Sequence, residues 1–538
     1  MEVEEKSVEK RDALSIVEFS WWEPIAALAS VVLFNVLVYH GHGLTGAATF
    51  LFGWAGLMWL GSPRRKWLFS TNIVLSLLLI TLLRLVWLGD ELVIGCGLLL
   101  TASFTLTLWG KTPYLHELFV HVAQMGAGGV MSWIQGIVRL STKWHGTRFA
   151  IRLGLLLPVA AVLVFGTIFV FANPDLAAWV KATWYDWVDN FLGRLEDWLP
   201  VPVQLVLWIV VGVCTLGLMR PLPIEMTRTP RRLFDAPAGR DDLVDNNTRQ
   251  EPIFESAMLG PYRNMLISLI VLFVVYLVFE FTTLWGRDFP QGFYYAGYAH
   301  EGAGWLTAAL ALATVVLSTI FRGDVLTDER LPGLKKLAWG WSALNVLLAI
   351  AVYHRLMIYI NFNGMTRMRM VGLFGVTTVI VGFLLVITKI VKRRNFFWLI
   401  QRQLWVPAVA TVLYAATPVD WLVHTWNSRQ ILAGHLAPAV QITEHDVDAQ
   451  GVLALCSLAD HEDPVIRDGI RSLLARWSSR LGRERNEQET DHWTAFQYAE
   501  TLLIDRLAEL HPKWSPFEEQ VPQESAWKAF RKFAYQWY

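Results

Sequence analysis

Charged residues are scarce in this sequence. Only 17% of its 538 residues are Asp, Glu, Lys or Arg, whereas 54% are hydrophobic. A soluble domain carries about a quarter charged residues, so this composition excludes an ordinary soluble globular protein. The formal net charge is zero, which provides no general attraction to nucleic acid, and we expect no nucleic-acid partner.

Cysteine is also rare, and no targeting segment is evident. Cys96, Cys214 and Cys456 are widely separated, so their spacing predicts neither a disulfide framework nor a metal site. Residues 1–22 are acidic and lack the basic segment with which a cleavable signal peptide begins. We therefore expect the first apolar segment to insert as it stands.

Catalytic motifs are absent as well. His121 follows His116-Glu117 at the fifth position after His116, which moves the two imidazoles off one helix face and excludes a zinc-protease helix. The residues 126–129 (Gly-Ala-Gly-Gly) lack the Lys-Ser/Thr of a phosphate-binding loop, and their small size predicts close helix packing instead. The sequence assigns no catalytic residue, no metal and no cofactor.

Long apolar runs are what the sequence does contain. Each is about as long as the roughly 20 residues that a helix needs to cross the hydrocarbon core of a bilayer. We predict an all-α, polytopic integral membrane helix bundle of about eleven spans with a small C-terminal helical extramembrane domain. The predicted spans are 24–40, 44–61, 68–88, 92–109, 151–172, 202–219, 263–285, 303–321, 337–360, 369–391 and 404–422.

Other segments divide the chain into parts. Residues 113–140 and 176–199 are amphipathic and predict two helices that either lie in the membrane interface or pack on the bundle as short caps. A proline-rich loop separates the first six spans from the other five. The predicted parts are a first membrane part at 1–219, a cytoplasmic linker at 220–259, a second membrane part at 260–422 and a C-terminal helical domain at 423–538.

Lysine and arginine are unevenly distributed between the connecting loops. The loops after the second, fourth, sixth, eighth and tenth spans hold most of them, and the alternate loops hold few. Cytoplasmic loops carry the excess of basic residues, so the N-terminus is predicted in the cytoplasm and the C-terminal domain on the outer side. Arg367 and Arg369 fall on the outer side against this bias, which suggests a role other than topology.

Polar residues from separate spans are predicted to meet near the outer side of the second membrane part. This candidate polar cluster comprises Glu280, His300, Glu301, His354, Arg355, Arg367 and Arg369. Ionisable residues at membrane depth are costly unless paired, so Glu280 or Glu301 is expected to meet Arg355 or Arg369. The cluster either locks helices together or binds an anionic group. For Arg369, Glu301 is the first expected partner and Glu280 the second.

Two short motifs carry a resemblance to a known family. Residues 298–306 and 363–369 resemble the Tyr-Ala-Arg-x-Gly-Phe-Phe-Glu-Leu and Tyr-Gly-Leu-Thr-x-x-Arg motifs of a bacterial multi-pass membrane family catalogued only as a domain of unknown function. The similarity covers roughly 290–475, and this chain departs from the first motif at His300, Ala303 and Trp305. It implies a bacterial inner-membrane location and marks Gly302 and Arg369, but it implies no activity.

Three hypotheses for function remain open at this point. The first is a non-enzymatic membrane subunit or scaffold that binds membrane lipids, or a protein partner through its C-terminal domain, at its outer face. The second is a transporter whose path is lined by the polar cluster. The third is a membrane enzyme acting on a lipid-linked or phosphorylated substrate at the outer leaflet, with His300, Glu301 and Arg369 as its acid/base and anion-holding groups.

Overall fold

The computed structural model describes residues 20–143, 202–220, 259–284, 295–321, 330–392, 394, 396–487 and 492–537. Within these residues the secondary structure is helical, as the composition predicts. The first membrane part contains α1 (Trp22–Phe34, continued by a π-turn at Asn35–Tyr39), α2 (Leu44–Gly61), α3 (Phe69–Leu88), α4 (Glu91–Leu108), α5 (Leu115–Lys143) and α6 (Pro202–Met219).

The second membrane part and the C-terminal domain continue in the same manner. The second part contains α7 (Leu259–Leu284), α8 (Tyr295–Ile320), α9 (Leu331–Asn363), α10 (Arg367–Lys392) and α11 (Phe396–Ala416). The C-terminal helices are α12 (Val419–Leu432), α13 (Ala439–Glu444), α14 (Ala449–Leu455), α15 (Pro464–Glu487), α16 (Tyr498–Glu509), α17 (His511–Trp514) and α18 (Gln520–Ala534).

The chain is a polytopic membrane protein, but the count of eleven spans is not confirmed. Seven described helices are long and apolar enough to cross a membrane, and a bent pair brings the number to eight. The apolar segments Val203–Met219 and Gly304–Ser318, where two further spans are predicted, are shorter. The predicted span at 151–172, the amphipathic segment at 176–199 and nearly all of the linker at 220–259 lie outside the described residues.

The predicted span at 404–422 needs correction. Instead of one continuous helix, the chain forms α11, breaks after Ala416 and continues as α12 at an angle of 67°. Pro418 explains the break, since proline lacks a backbone N–H and disfavours helical conformation in the residue before it. The polar residues at 401–403 belong to α11, where Gln403 donates from Nε2 to the carbonyl oxygen of Gly382 at 2.7 Å.

Each membrane part has a buried apolar core, and Ala415 of α11 joins the core of the first part. Met58, Leu85 and Leu108 are fully buried in the first part, and Leu266 and Leu317 in the second. Large apolar side chains also cover the outside of both parts, as the exposed Leu83, Val275 and Leu312 show. An apolar exterior of this kind is the surface that the hydrocarbon core of a bilayer covers.

Small residues bring α5 and α6 into close contact. A Cβ atom added at Gly129 would overlap the carbonyl oxygen of Val213, and one added at Gly217 would overlap that of Met125. Within the small residues at 126–129, Gly128 and Gly129 therefore serve helix packing, as predicted, whereas Gly126 faces open space. The amphipathic helix at 113–140 packs along α6 rather than lying alone, and the buried His121 shares a 3.1 Å hydrogen bond with the Thr105 hydroxyl.

Alanine at position 129 should destabilise the protein, whereas alanine at position 126 should not. Gly129→Ala forces the two helices apart, at a cost of about 1–3 kcal/mol. An added Cβ at Gly126, on the same helix, meets nothing within 4 Å, and replacing a helical glycine there should stabilise by about 0.5–1 kcal/mol. Thermal unfolding of the purified variants in detergent measures both effects. Equal melting temperatures for the two variants would contradict the proposed contact.

Candidate functional site

The predicted polar cluster divides into two groups in the structure. Glu280, His354 and Arg355 lie within the second membrane part on α7 and α9, whereas Arg367 and Arg369 lie at the start of α10, beside the C-terminal domain. His300 and Glu301 belong to the first turns of α8, and their side chains lie outside the described residues. The single cluster expected from the sequence is therefore not formed by the residues described.

Glu280 and Arg355 form a buried bidentate ion pair. Arg355 donates from Nε to Oε1 and from Nη2 to Oε2 of Glu280, both at 2.5 Å. The glutamate is fully buried and the arginine side chain is 7% exposed. Tyr276 donates a further hydrogen bond from its hydroxyl to Oε2 at 2.9 Å. Each charge thus has a partner, which is the arrangement that makes burial of both ions tolerable. His354 is only partly buried beside this pair.

Arg369 contacts neither of its expected partners among the described side chains. Glu280 is taken by Arg355, and the Glu301 side chain is outside the described residues. The Arg369 guanidinium instead donates to the carbonyl oxygen of Gly364 and lies 3.8 Å from the ring centroid of Tyr359. It is 7% exposed, so its charge is held by a backbone carbonyl and an aromatic face.

Side chains of the C-terminal domain bind the backbone of the turn between α9 and α10. Gly364 has a φ of 86°, a conformation that favours glycine. Asn427 of α12 accepts from the Met365 N–H at 2.6 Å and donates to the Met365 carbonyl at 2.9 Å. Gln441 donates to the carbonyl of Asn363 at 2.9 Å. This turn is the second of the two motifs noted in the sequence, and two C-terminal helices bind its main chain.

Asp420 connects this turn to the C-terminal domain. Both of its carboxylate oxygens accept from the Arg367 guanidinium, and Oδ2 also accepts from the backbone N–H of Asp448 at 3.2 Å. Asp420 is 2% exposed and lies in the first turn of α12. Its negative charge is therefore stabilised by a cation, an amide and the positive end of a helix dipole. We name this set of contacts the Asp420 latch.

The latch extends through Asp448 to the first membrane part. Asp448 caps α14 by accepting from the Gly451 N–H at 2.9 Å, and it accepts from Gln450 at 2.8 Å. Gln450 in turn accepts from the Trp87 indole at 3.0 Å. Burial, with the neighbouring Asp420 carboxylate as the second cause, raises the pKa of Asp448 to about 6. The charge of Asp448 is thus sensitive to mild acidity.

A second set of contacts fixes the C-terminal domain to the same end of the bundle. Gln497 accepts from the Gly89 N–H at 2.7 Å and donates to the Leu85 carbonyl at 3.1 Å. Thr494 accepts from the backbone N–H of His42 at 3.2 Å, and Thr45 donates to the carbonyl of Phe496. Sequence patterns gave no indication of Asp448 or Gln497 as contact residues. Asp420 and Asn427 lie within the segment after the last span that was already linked to the family resemblance.

Removal of the Glu280 charge should strongly destabilise the second membrane part. Glu280→Gln leaves the Arg355 guanidinium buried without its counter-ion, which typically costs about 3–5 kcal/mol. The matched control is Glu509→Gln, which removes one member of an exposed pair with Arg506 and should cost about 0–1 kcal/mol. Denaturant unfolding compares them, and the double change Glu280→Gln with Arg355→Gln should recover part of the loss. A Glu280→Gln variant no less stable than Glu509→Gln would contradict a structural pair.

Comparison with known proteins identifies the family but no activity. The family model described as "Domain of unknown function (DUF4153)" matches residues 46–456. No curated protein and no solved structure matches the chain. The predicted resemblance to a domain of unknown function is confirmed, but the matched residues end at 456 rather than near 475 and also include most of the first membrane part. Because this family model matches more than half of the chain, the chain belongs to the DUF4153 family, whose domain has no known function.

Proposed function

We propose that this chain is a membrane subunit or scaffold that holds its C-terminal helical domain rigidly at the outer end of the bundle, where the domain binds lipid or a protein partner. The Asp420 latch is the observation that carries the proposal. A domain held by an ion pair with a buried carboxylate, and by side chains bound to turn backbones, keeps a fixed orientation, which a binding platform requires. A domain connected only by a linker would be free to move.

The contacts of the domain agree with the proposed topology. The turns that it touches are 41–43, 89–90 and 364–366, and alternation of the spans puts all three on the side predicted for the C-terminal domain. The loops rich in Lys and Arg belong to the opposite side. The docking contacts tie the domain to the end of the bundle that bears these turns, and the basic-residue bias supports that end as the outer side.

Aromatic residues at the junction favour contact with lipid. Trp493, Phe496 and Tyr498 are 56%, 41% and 45% exposed and lie where the domain meets the ends of α2 and α3. Amphipathic aromatic rings prefer the headgroup region of a bilayer. We infer that this edge of the domain rests on the membrane surface and leaves its remaining surface open to a partner.

The ion pair in the second membrane part supports a scaffold over a transporter. Glu280 and Arg355 satisfy each other and are surrounded by apolar side chains such as Leu277 and Val352. A substrate path through this region would require water or a ligand to reach the two charges. The proposal therefore assigns them a locking role.

Cysteine labelling in intact cells tests the topology and the dry core together. Single cysteines are introduced by Arg240→Cys, Arg483→Cys and Ala351→Cys after replacement of the three native cysteines. We expect an impermeant thiol reagent to label position 483 in intact cells and position 240 only after permeabilisation. Position 351, next to the ion pair and fully buried, should react only after denaturation.

Two results would overturn the proposal in different ways. Labelling of position 240 but not 483 in intact cells would place the domain in the cytoplasm. Labelling of position 351 in the folded protein from both sides of the membrane would show a hydrated path and would favour the transporter. Each introduced cysteine is first checked by unfolding in detergent to establish that the variant is folded.

A further inference from the structure

A cavity lies between the first membrane part and the C-terminal domain. Its volume is about 340 Å³, within the range of small-molecule sites, and the end of α3, the start of α10 and three C-terminal segments form its walls. Charged side chains dominate the lining. They are three arginines and four carboxylates, namely Arg84, Arg367, Arg480, Asp90, Asp446, Asp448 and Glu500.

Arg84 is the unusual member of this lining. It is 7% exposed, and its Nε and Nη1 atoms have no hydrogen-bond partner among the described residues. Buried guanidinium nitrogens without hydrogen-bond partners are costly, and the attraction of the charge to Asp90 and Asp448 does not replace the hydrogen bonds that were lost with water. Arg84 lies about one turn before the end of α3, so it faces the cavity at the depth where the bundle meets the C-terminal domain.

The other arginines are held in place. Arg367 is bound to Asp420 in the latch, and the Arg480 guanidinium lies 4.9 Å from the Trp477 ring centroid. Two cations that are already oriented therefore lie beside Arg84, two of whose nitrogens have no hydrogen-bond partner among the described residues. Planar guanidinium groups bind phosphate oxygens through paired hydrogen bonds, which makes a phosphate group the best match for this side of the cavity.

The opposite charges of the lining restrict the ligand further. A simple anion bound by Arg84 would stand near four carboxylates, of which Asp446 is exposed at the rim. Repulsion from these carboxylates would weaken its binding. A simple cation would instead meet the unpartnered Arg84. A ligand with a phosphate group and an ammonium group satisfies both sides of the cavity at once.

We propose that this cavity binds a zwitterionic phosphate–ammonium group of the phosphoethanolamine class, with Arg84 holding the phosphate and the carboxylates around Asp446 and Asp448 holding the ammonium. The same chemistry occurs in a free phosphoethanolamine ester and in the headgroup of a phospholipid. The position at the end of a membrane helix suits both sources. The site does not depend on which side of the membrane the domain faces, so it stands apart from the scaffold proposal.

Binding to the purified full-length chain tests the site. Isothermal titration in detergent compares phosphoethanolamine with inorganic phosphate and with ethanolamine, at equal ionic strength. We expect phosphoethanolamine to bind at least about tenfold more tightly than either part alone, since it gains both sets of charged hydrogen bonds. Arg84→Gln should raise its Kd at least about tenfold, whereas the exposed Arg506→Gln should leave it unchanged.

A second variant keeps the test valid if Arg84→Gln fails to fold. Asp446→Asn changes an exposed rim residue and should weaken binding of phosphoethanolamine while leaving that of inorganic phosphate unchanged or stronger. Phosphate binding as tightly as phosphoethanolamine would overturn the zwitterionic ligand. Binding that is insensitive to both variants would overturn the site.

The lipid source is tested in nanodiscs. If the ligand is a headgroup, phosphatidylethanolamine should raise the melting temperature relative to phosphatidylglycerol, and Asp446→Asn should abolish the difference. If the ligand is free, soluble phosphoethanolamine binds and the two lipids are equivalent. Absence of both effects would contradict the proposal.

Discussion

A buried carboxylate at a helix break connects the membrane bundle to the C-terminal domain. Pro418 ends α11, and the new helix begins with Asp420 in its first turn. There the carboxylate meets Arg367, the N–H of Asp448 and the positive end of α12. Burial of a charge is tolerable only with such partners, so the break, the α9–α10 turn and the start of α14 must all be in place together. The contact between the α9–α10 turn and the start of α14 therefore depends on this one residue, while Gln497 and Thr494 add separate contacts to the first membrane part.

The buried arginines of this protein differ in the partners that their guanidinium groups have. Arg355 is fully matched by Glu280 within apolar surroundings, and Arg369 is accommodated by a carbonyl and a tyrosine ring. These two serve the fold. Arg84 is as buried as they are, yet two of its nitrogens have no partner among the described residues and it borders a charged cavity. Buried polar groups normally have hydrogen-bond partners. We therefore assign a locking role to Arg355 and Arg369, which have partners, and a binding role to Arg84, which lacks them at two nitrogens among the described residues.

The sequence predicts the apolar helices well and the polar contacts poorly. The spans at 44–61 and 68–88 match α2 and α3 closely, since a run of about 20 apolar residues itself sets the length of a spanning helix. Pro418 lies within the last predicted span and is the residue at which a break could be expected. The length of the apolar run favoured one continuous helix instead. The partner of Arg369 was not predictable, because the α9–α10 turn directs its guanidinium to a nearby carbonyl. Asp420 and Asp448 come together only in the tertiary structure, and the periodicity of apolar residues does not predict such a contact.

Hydrogen–deuterium exchange on the full-length protein and on an Asp420→Asn variant tests the role of the latch most directly. The account predicts faster exchange in the variant at the amides of Met365 and Asp448 and along α14, because the carboxylate no longer holds the turn and the helix together. Exchange in α2 should remain unchanged, which shows that the bundle is intact. Unchanged protection at Met365 and Asp448 in a folded Asp420→Asn variant would contradict the claim that this carboxylate fixes the C-terminal domain to the bundle.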